Sequence, residues 1–195
     1  LEINGAGEGG RQPVAHGVLI GAINGEIYNH HALTTTHGLA PTPCDTHVVL
    51  PLVERAGPRC IDELDGFYSG VALRPSTAEV LCLRDHMGKK PLFVGRSAGE
   101  IFIVSELKAL DQIEWFALLP RGASSVDLAT GQVRLLAEHR AVAHRGDLAV
   151  AFEGAVRKRL PRPDQPVGVL LSGGLDSSLV AAFVARDRPD AVDFT

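Results

Sequence analysis

The feature that most constrains the fold of this 195-residue chain is an apolar run over residues 167–171. It is followed at once by Ser172-Gly173-Gly174-Leu175-Asp176-Ser177-Ser178 and by a helix-forming stretch over residues 177–186. An apolar run without polar alternation suits a strand covered on both faces, as in a parallel sheet. Two glycines between strand and helix let the backbone turn sharply. The helix that follows presents unpaired amide N–H groups and its positive dipole end, which together cradle an anion such as a phosphate. The hydroxyls of Ser172, Ser177 and Ser178 add donors. Asp176 aimed at a polyphosphate is electrostatically unreasonable unless a divalent cation lies between them, so the motif itself implies magnesium. The plain alternative is a glycine turn that only makes a corner, and the hydroxyl and carboxylate pattern weighs against it. No lysine follows the glycines, so this is not the GxxxxGK[ST] loop.

Upstream, Pro161-Arg162-Pro163-Asp164-Gln165-Pro166 stops a helix predicted over residues 147–160, and a domain boundary falls near residues 137–147. The remainder is β-rich. Residues 14–27 run into Asn24-Gly25, which signals a hairpin turn. Residues 46–56 place Val48, Val49, Leu52 and Val53 at helical spacing, stopped by Gly57-Pro58. Residues 66–104 predict four short strands in an antiparallel sheet, after which Ser105 caps a short helix over 106–110. Residues 124–128 and 132–136 predict a hairpin turned at Thr130-Gly131, and residues 191–195 read as the beginning of a further strand.

The charge count is 19 Lys and Arg against 23 Asp and Glu, a net −4. No cationic excess exists to neutralise a phosphate backbone or an anionic lipid surface, so neither nucleic acid nor membrane is expected as a partner. Apolar stretches at 17–23 and 167–171 fall short of the roughly 20 residues of a spanning helix. Cys44, Cys60 and Cys82 are an odd number without CxxC spacing and fit reduced thiols in a cytoplasm. The one methionine is Met87 and the chain opens at Leu1, which reads as an excerpt of a longer protein. His30, His31, His37, His47 and His86 lack HxxxH or HExxH spacing and read as solvated or hydrogen-bonded side chains. The Arg157-Lys158-Arg159 run reads as a solvated helix end.

A second polar constellation is Asn24-Gly25-Glu26-Ile27-Tyr28-Asn29-His30, in which an amide and a carboxylate flank a glycine and suit the ends of a small zwitterion. A bare hairpin turn is the alternative. Asp45, in Cys44-Asp45-Thr46, is a second carboxylate for such a ligand or simply a helix N-cap.

Taken in order, NGEIYNH, Asp45-Thr46, Leu64-Asp65-Gly66-Phe67, Arg84-Asp85-His86-Met87-Gly88-Lys89-Lys90-Pro91-Leu92, Ser105-Glu106-Leu107-Lys108-Ala109-Leu110 and LLSGGLDSS closely resemble glutamine-hydrolysing asparagine synthetase. The strand, SGGxDS and helix together resemble the PP-loop of ATP pyrophosphatases. The resemblance implies an α+β N-terminal-nucleophile hydrolase sandwich over residues 1–140, a class II glutamine amidotransferase domain lacking its N-terminus. The opening of an α/β PP-loop ATP pyrophosphatase domain follows over 147–195. It implies that glutamine is hydrolysed by an N-terminal cysteine and that the ammonia attacks β-aspartyl-AMP made from aspartate and MgATP. A cytoplasmic enzyme is expected, with a homodimer as the candidate assembly.

Carried onto this chain, the resemblance makes Ile3, Asn4, Asn24, Gly25, Glu26 and Asp45 glutamine-binding, with Asn24 also stabilising the oxyanion. Leu171, Ser172, Gly173, Gly174, Asp176, Ser177 and Ser178 become the ATP site, with Asp176 toward magnesium. Arg84-Asp85, Lys90-Pro91 and Glu106-Leu107-Lys108 take scaffold and interface roles. Two departures stand out. The nucleophilic N-terminal cysteine is not in this chain, and the internal cysteines cannot replace it, so the excerpt alone is expected to be inactive. His47 stands where the family commonly has glutamate, and Tyr68-Ser69-Gly70 replaces a more aromatic, alanine-rich strand. Adenylating relatives that close a β-lactam or lasso-peptide ring without glutaminase activity are the alternative, and the intact Asn24-Gly25-Glu26 and Asp45 argue against them. A non-enzymatic truncated fragment is the third reading.

Overall fold

The computed structural model describes residues 10–42, 44–140, 146–161, 163 and 165–194, with backbone only for 192–194. The chain divides into two compact units, Leu1–Ala141 and Val142–Thr195.

In the first unit, β1 (Val14–His16) turns at Gly17, whose φ of 54° suits glycine, into β2 (Leu19–Ile27). Asn24-Gly25 is therefore not a turn. Strand β2 runs straight through it because β3 (Gly66–Arg74) pairs with the whole segment, from Ile20↔Leu73 to Ile27↔Gly66. An Asn-Gly pair makes a hairpin only when its two flanks pair with each other. Here the second flank becomes α1 (His30–His37), a helix the sequence does not announce because its His and Thr residues are indifferent helix formers. Its C-terminus is closed by Gly38 at φ 59°.

The helix predicted from Thr46 begins instead as a 3₁₀ turn, Asp45–Val48, and continues as α2 (Val49–Ala56) up to Gly57. Val48, Val49, Leu50, Leu52 and Val53 on it are all buried, each stabilising by about 1.5–3 kcal/mol relative to exposure.

The four predicted strands between 66 and 104 exist but do not share one sheet. Strand β3 and β4 (Glu79–Arg84) lie in a six-stranded antiparallel sheet ordered β1-β2-β3-β4, then β8 (Gly122–Val126) and β9 (Val133–Ala137). A second sheet is ordered β6-β5-β7 from β5 (Phe93–Ser97), β6 (Glu100–Val104) and β7 (Ile113–Leu118), the last not anticipated from sequence. The period-two alternation of a strand explains the split. In β3 and β4, Tyr68, Ala72 and Leu83 join α2 and Ile23 in one core, while Val71, Val80 and Cys82 join Leu92, Val94 and Leu119 in the other. Strands β3 and β4 of the large sheet thus face two apolar layers. Ser105 caps nothing: the short helix is a 3₁₀ turn, Leu107–Ala109, preceded by Glu106 without a side-chain cap. The β8/β9 hairpin forms as predicted, with Asp127 Oδ1 accepting the N–H groups of Ala129 and Thr130 in its loop.

In the second unit, α3 (Leu148–Arg157) is capped by Asp147, which accepts the N–H groups of Ala149 and Val150. Strand β10 (Gly168–Leu170) leads through the glycine loop into α4 (Leu175–Asp187) and pairs in parallel with β11 (Val192–Phe194). Arg157 is not merely solvated. It bridges Asp187 at 2.6 Å and Glu153 at 3.0 Å, tying α3 to α4, and the Phe152 and Phe183 rings meet at 5.5 Å.

Candidate active-site residues

Asn24, Gly25 and Glu26 sit consecutively near the end of β2, in register with Ser69, Tyr68 and Phe67 of β3. Gly25 serves the packing: a Cβ there would lie 2.1 Å from the Phe67 carbonyl oxygen and 2.6 Å from Tyr68 Cα. Asn24 lines a cavity of about 390 Å³ together with Gln12, Ser69, Leu92, Ile103 and Ser105. Gln12 was not anticipated. Its carboxamide donates from Nε2 to the Ile23 carbonyl at 2.8 Å and accepts the Ile23 N–H at 2.6 Å, a bond pair that no sequence pattern signals.

Asp45 is no N-cap. Cys44 occupies that position without a side-chain cap bond, and the Asp45 carboxylate, 3% exposed, instead accepts the Ile27 N–H at 2.6 Å. The structure thereby brings Asp45 from the 3₁₀ turn to the end of the strand that carries Asn24, Gly25 and Glu26. The Cys44 thiol lies 3.6 Å from the other carboxylate oxygen. Ile3 and Asn4 lie outside the described residues.

His47, two residues beyond Asp45, has its pKa lowered by burial, partly offset by the Asp45 charge, so its surroundings favour the neutral imidazole. Its buried Nε2 has no hydrogen-bond partner among the described residues. Asp85 and Arg84 are fully engaged with backbone. Asp85 accepts the N–H groups of Tyr68, Lys89 and Lys90, and Arg84 donates to the carbonyls of Gly88, Lys90 and Leu119. The Lys89 ammonium stands 4.2 Å over the Phe67 ring, beside the strand position opposite Glu26. All three cysteines are free and buried, and burial pushes the thiols of Cys60 and Cys82 up to about 12. Among the described residues no group of three or more His, Cys, Asp and Glu side chains converges as a metal site, and no helix is long and apolar enough to cross a membrane.

In the second unit, Leu171, Ser172, Gly173 and Gly174 form the loop between β10 and α4, and Asp176, Ser177 and Ser178 lie in the first turn of α4. Gly173 has φ 76° with open space where a Cβ would be. Helix α4 has no side-chain cap at Gly174, so its first amides lack a capping acceptor among the described residues. The Ser172 and Ser177 hydroxyls lie 3.0 Å apart, and Ser177 donates to the Gly174 carbonyl at 3.1 Å. Asp176 and Ser177 line an apolar cleft of about 780 Å³ with Phe152, Pro166, Leu170 and Val180. An open loop with exposed hydroxyls, uncapped amides and one carboxylate fits a magnesium-bound polyphosphate, and the apolar cleft beside it fits a flat ring system.

Residues 1–112 match the family described as glutamine amidotransferase domain, and residues 147–195 match the family described as asparagine synthase. Asparagine synthetase B [glutamine-hydrolyzing] of Escherichia coli is 34% identical over 180 residues, covering 85% of this chain and 32% of that protein. Asparagine synthetase [glutamine-hydrolyzing] 2 of Lotus japonicus is 40% identical over 184 residues, covering 88% and 31%. The chain therefore spans about a third of the length of these relatives. Among solved structures, the glutamine phosphoribosylpyrophosphate amidotransferase from B. subtilis matches with a TM-score of 0.57 at 15% identity, covering 97% of this chain and 49% of that chain. The antiparallel sandwich of the first unit is accordingly that of N-terminal-nucleophile amidotransferases, the fold class expected from the sequence.

Proposed function

This chain belongs to the glutamine-hydrolysing asparagine synthetase family, and from that membership we propose that it is part of a cytoplasmic, ATP-dependent ligase that makes asparagine from aspartate with ammonia taken from glutamine. Residues 1–140 serve as the glutaminase domain and residues 147–195 open the ATP-binding domain. In the first reaction, the parent protein's N-terminal cysteine attacks the glutamine side-chain amide. Ammonia leaves, and water releases glutamate from the thioester. Asn24 donates to the oxyanion, Glu26 and Asp45 receive the α-ammonium end of glutamine, and Gly25 keeps that strand close against its neighbour. Ile3 and Asn4 take the glutamine carboxylate side.

In the second reaction, aspartate and ATP yield β-aspartyl-AMP and pyrophosphate, and ammonia displaces AMP. Magnesium, when bound, offsets phosphate charge. Leu171 lies beside the nucleotide. The backbone of Gly173 and Gly174 and the hydroxyls of Ser172, Ser177 and Ser178 hold pyrophosphate oxygens, with Asp176 toward the metal.

The observation that carries this reading is the Asp45 carboxylate held at 2.6 Å against the strand bearing Asn24-Gly25-Glu26, an expensive arrangement for a domain with no zwitterion to bind. It also favours glutamine use over the ring-closing alternative. The test is to assay the full-length protein for glutamate release from glutamine and for aspartate-dependent exchange of pyrophosphate into ATP. Both activities are expected. Exchange driven by another carboxylate but not by aspartate would overturn the acceptor assignment.

A further inference from the structure

We propose that Gln12 is a positioning residue for Asn24, an inference that rests on the glutaminase reading above. Strand β1 pairs with β2 only from His16↔Leu19 to Val14↔Gly21. Ile23 lies two residues farther along β2, where the antiparallel ladder would next bond. Gln12 fills that place. Its carboxamide accepts the Ile23 N–H at 2.6 Å and donates to the Ile23 carbonyl at 2.8 Å, so one side chain substitutes for a strand residue.

The Ile23 carbonyl belongs to the peptide group that leads into Asn24. Clamping it sets the plane from which the Asn24 side chain projects, and Gln12 and Asn24 line the same cavity of about 390 Å³. An oxyanion donor acts only within hydrogen-bond reach of the oxygen as charge develops, and a displacement of about 1 Å costs up to about a hundredfold in rate. Gln12 touches the strand and acts through Asn24.

The experiment compares Gln12→Leu and Gln12→Glu in the full-length protein. Gln12→Leu keeps much of the bulk but neither hydrogen bond. Its glutaminase kcat is expected to fall at least tenfold, with a smaller change in KM for glutamine and with ATP/pyrophosphate exchange retained. Gln12→Glu supplies the sharper readout. The ionised carboxylate accepts the Ile23 N–H but faces the Ile23 carbonyl without a proton, whereas the protonated acid both accepts and donates as the amide does. Its glutaminase activity relative to wild type should therefore climb as pH falls, while that of Gln12→Leu stays flat. A space-filling role would give neither result.

Wild-type kcat in Gln12→Leu overturns the inference, and so does a Gln12→Glu to wild-type ratio that ignores pH. If Gln12→Leu fails to fold, the Gln12→Glu profile decides alone. A wild-type protein without glutaminase activity overturns the functional reading and this inference together, which separates that failure from the others.

Discussion

Asp45 and Ile27 are 18 residues apart in sequence, yet the Asp45 carboxylate accepts the Ile27 N–H at 2.6 Å in a buried setting. The contact fixes both the strand end and the direction of the carboxylate. Asp45→Asn keeps an acceptor for Ile27 but removes the charge. KM for glutamine should then rise about tenfold to a hundredfold, with little change in melting temperature. Asp45→Ala strands a buried N–H and should in addition cost about 1–3 kcal/mol of stability by denaturant titration. Equal stability loss in both variants would show that the charge, and not the hydrogen-bond acceptor, supplies the stability, and an unchanged KM in Asp45→Asn would show that the charge plays no part in binding.

Gly25→Ala should be destabilising whatever the substrate, because the added Cβ would sit 2.1 Å from the Phe67 carbonyl oxygen. Backbone cannot yield as a side-chain tip can. A loss of at least about 2 kcal/mol is expected from urea unfolding, with strands β2 and β3 prised apart at this register.

Cys60 and Cys82 should resist alkylation in the folded protein. Burial pushes both thiols up to about 12 from an ordinary 9.0, so at pH 8 the thiolate is about one part in ten thousand. Peptide mass mapping after iodoacetamide should find both unmodified until denaturant is added. The sign for stability follows from linkage. Protection of the neutral thiols is fully present below pH 9.0. It is lost as pH rises toward about 12, because the unfolded chain ionises first. Melting temperature should fall across that alkaline window and less steeply in a Cys82→Ser variant.

Asp176→Asn in the full-length protein should abolish ATP/pyrophosphate exchange and leave glutaminase activity largely intact. The carboxylate lies in the first turn of α4, in the second unit, whereas Asn24 and Asp45 belong to the first. Equal loss of both activities would sink the magnesium role assigned to Asp176.

What the sequence determined by itself is local. The helix from residue 147, the proline break, the strand, glycine loop and helix around Ser172 to Ser178, the α2 face and the β8/β9 hairpin all follow from short-range periodicity and turn chemistry, and the ordered motifs identify the family. The choice of partners was decided only in three dimensions. Nothing near Asn24-Gly25 says that β3 will pair across it and turn a hairpin signal into strand interior. Nor does anything near Phe93 say that β5 leaves the sheet of β4 to pair with β7. Gln12 bonding to Ile23 and Asp45 to Ile27 are likewise contacts between segments distant in sequence. Local propensity is written in neighbouring residues, whereas pairing is settled by which distant surfaces bury the most apolar area and leave the fewest backbone groups unsatisfied.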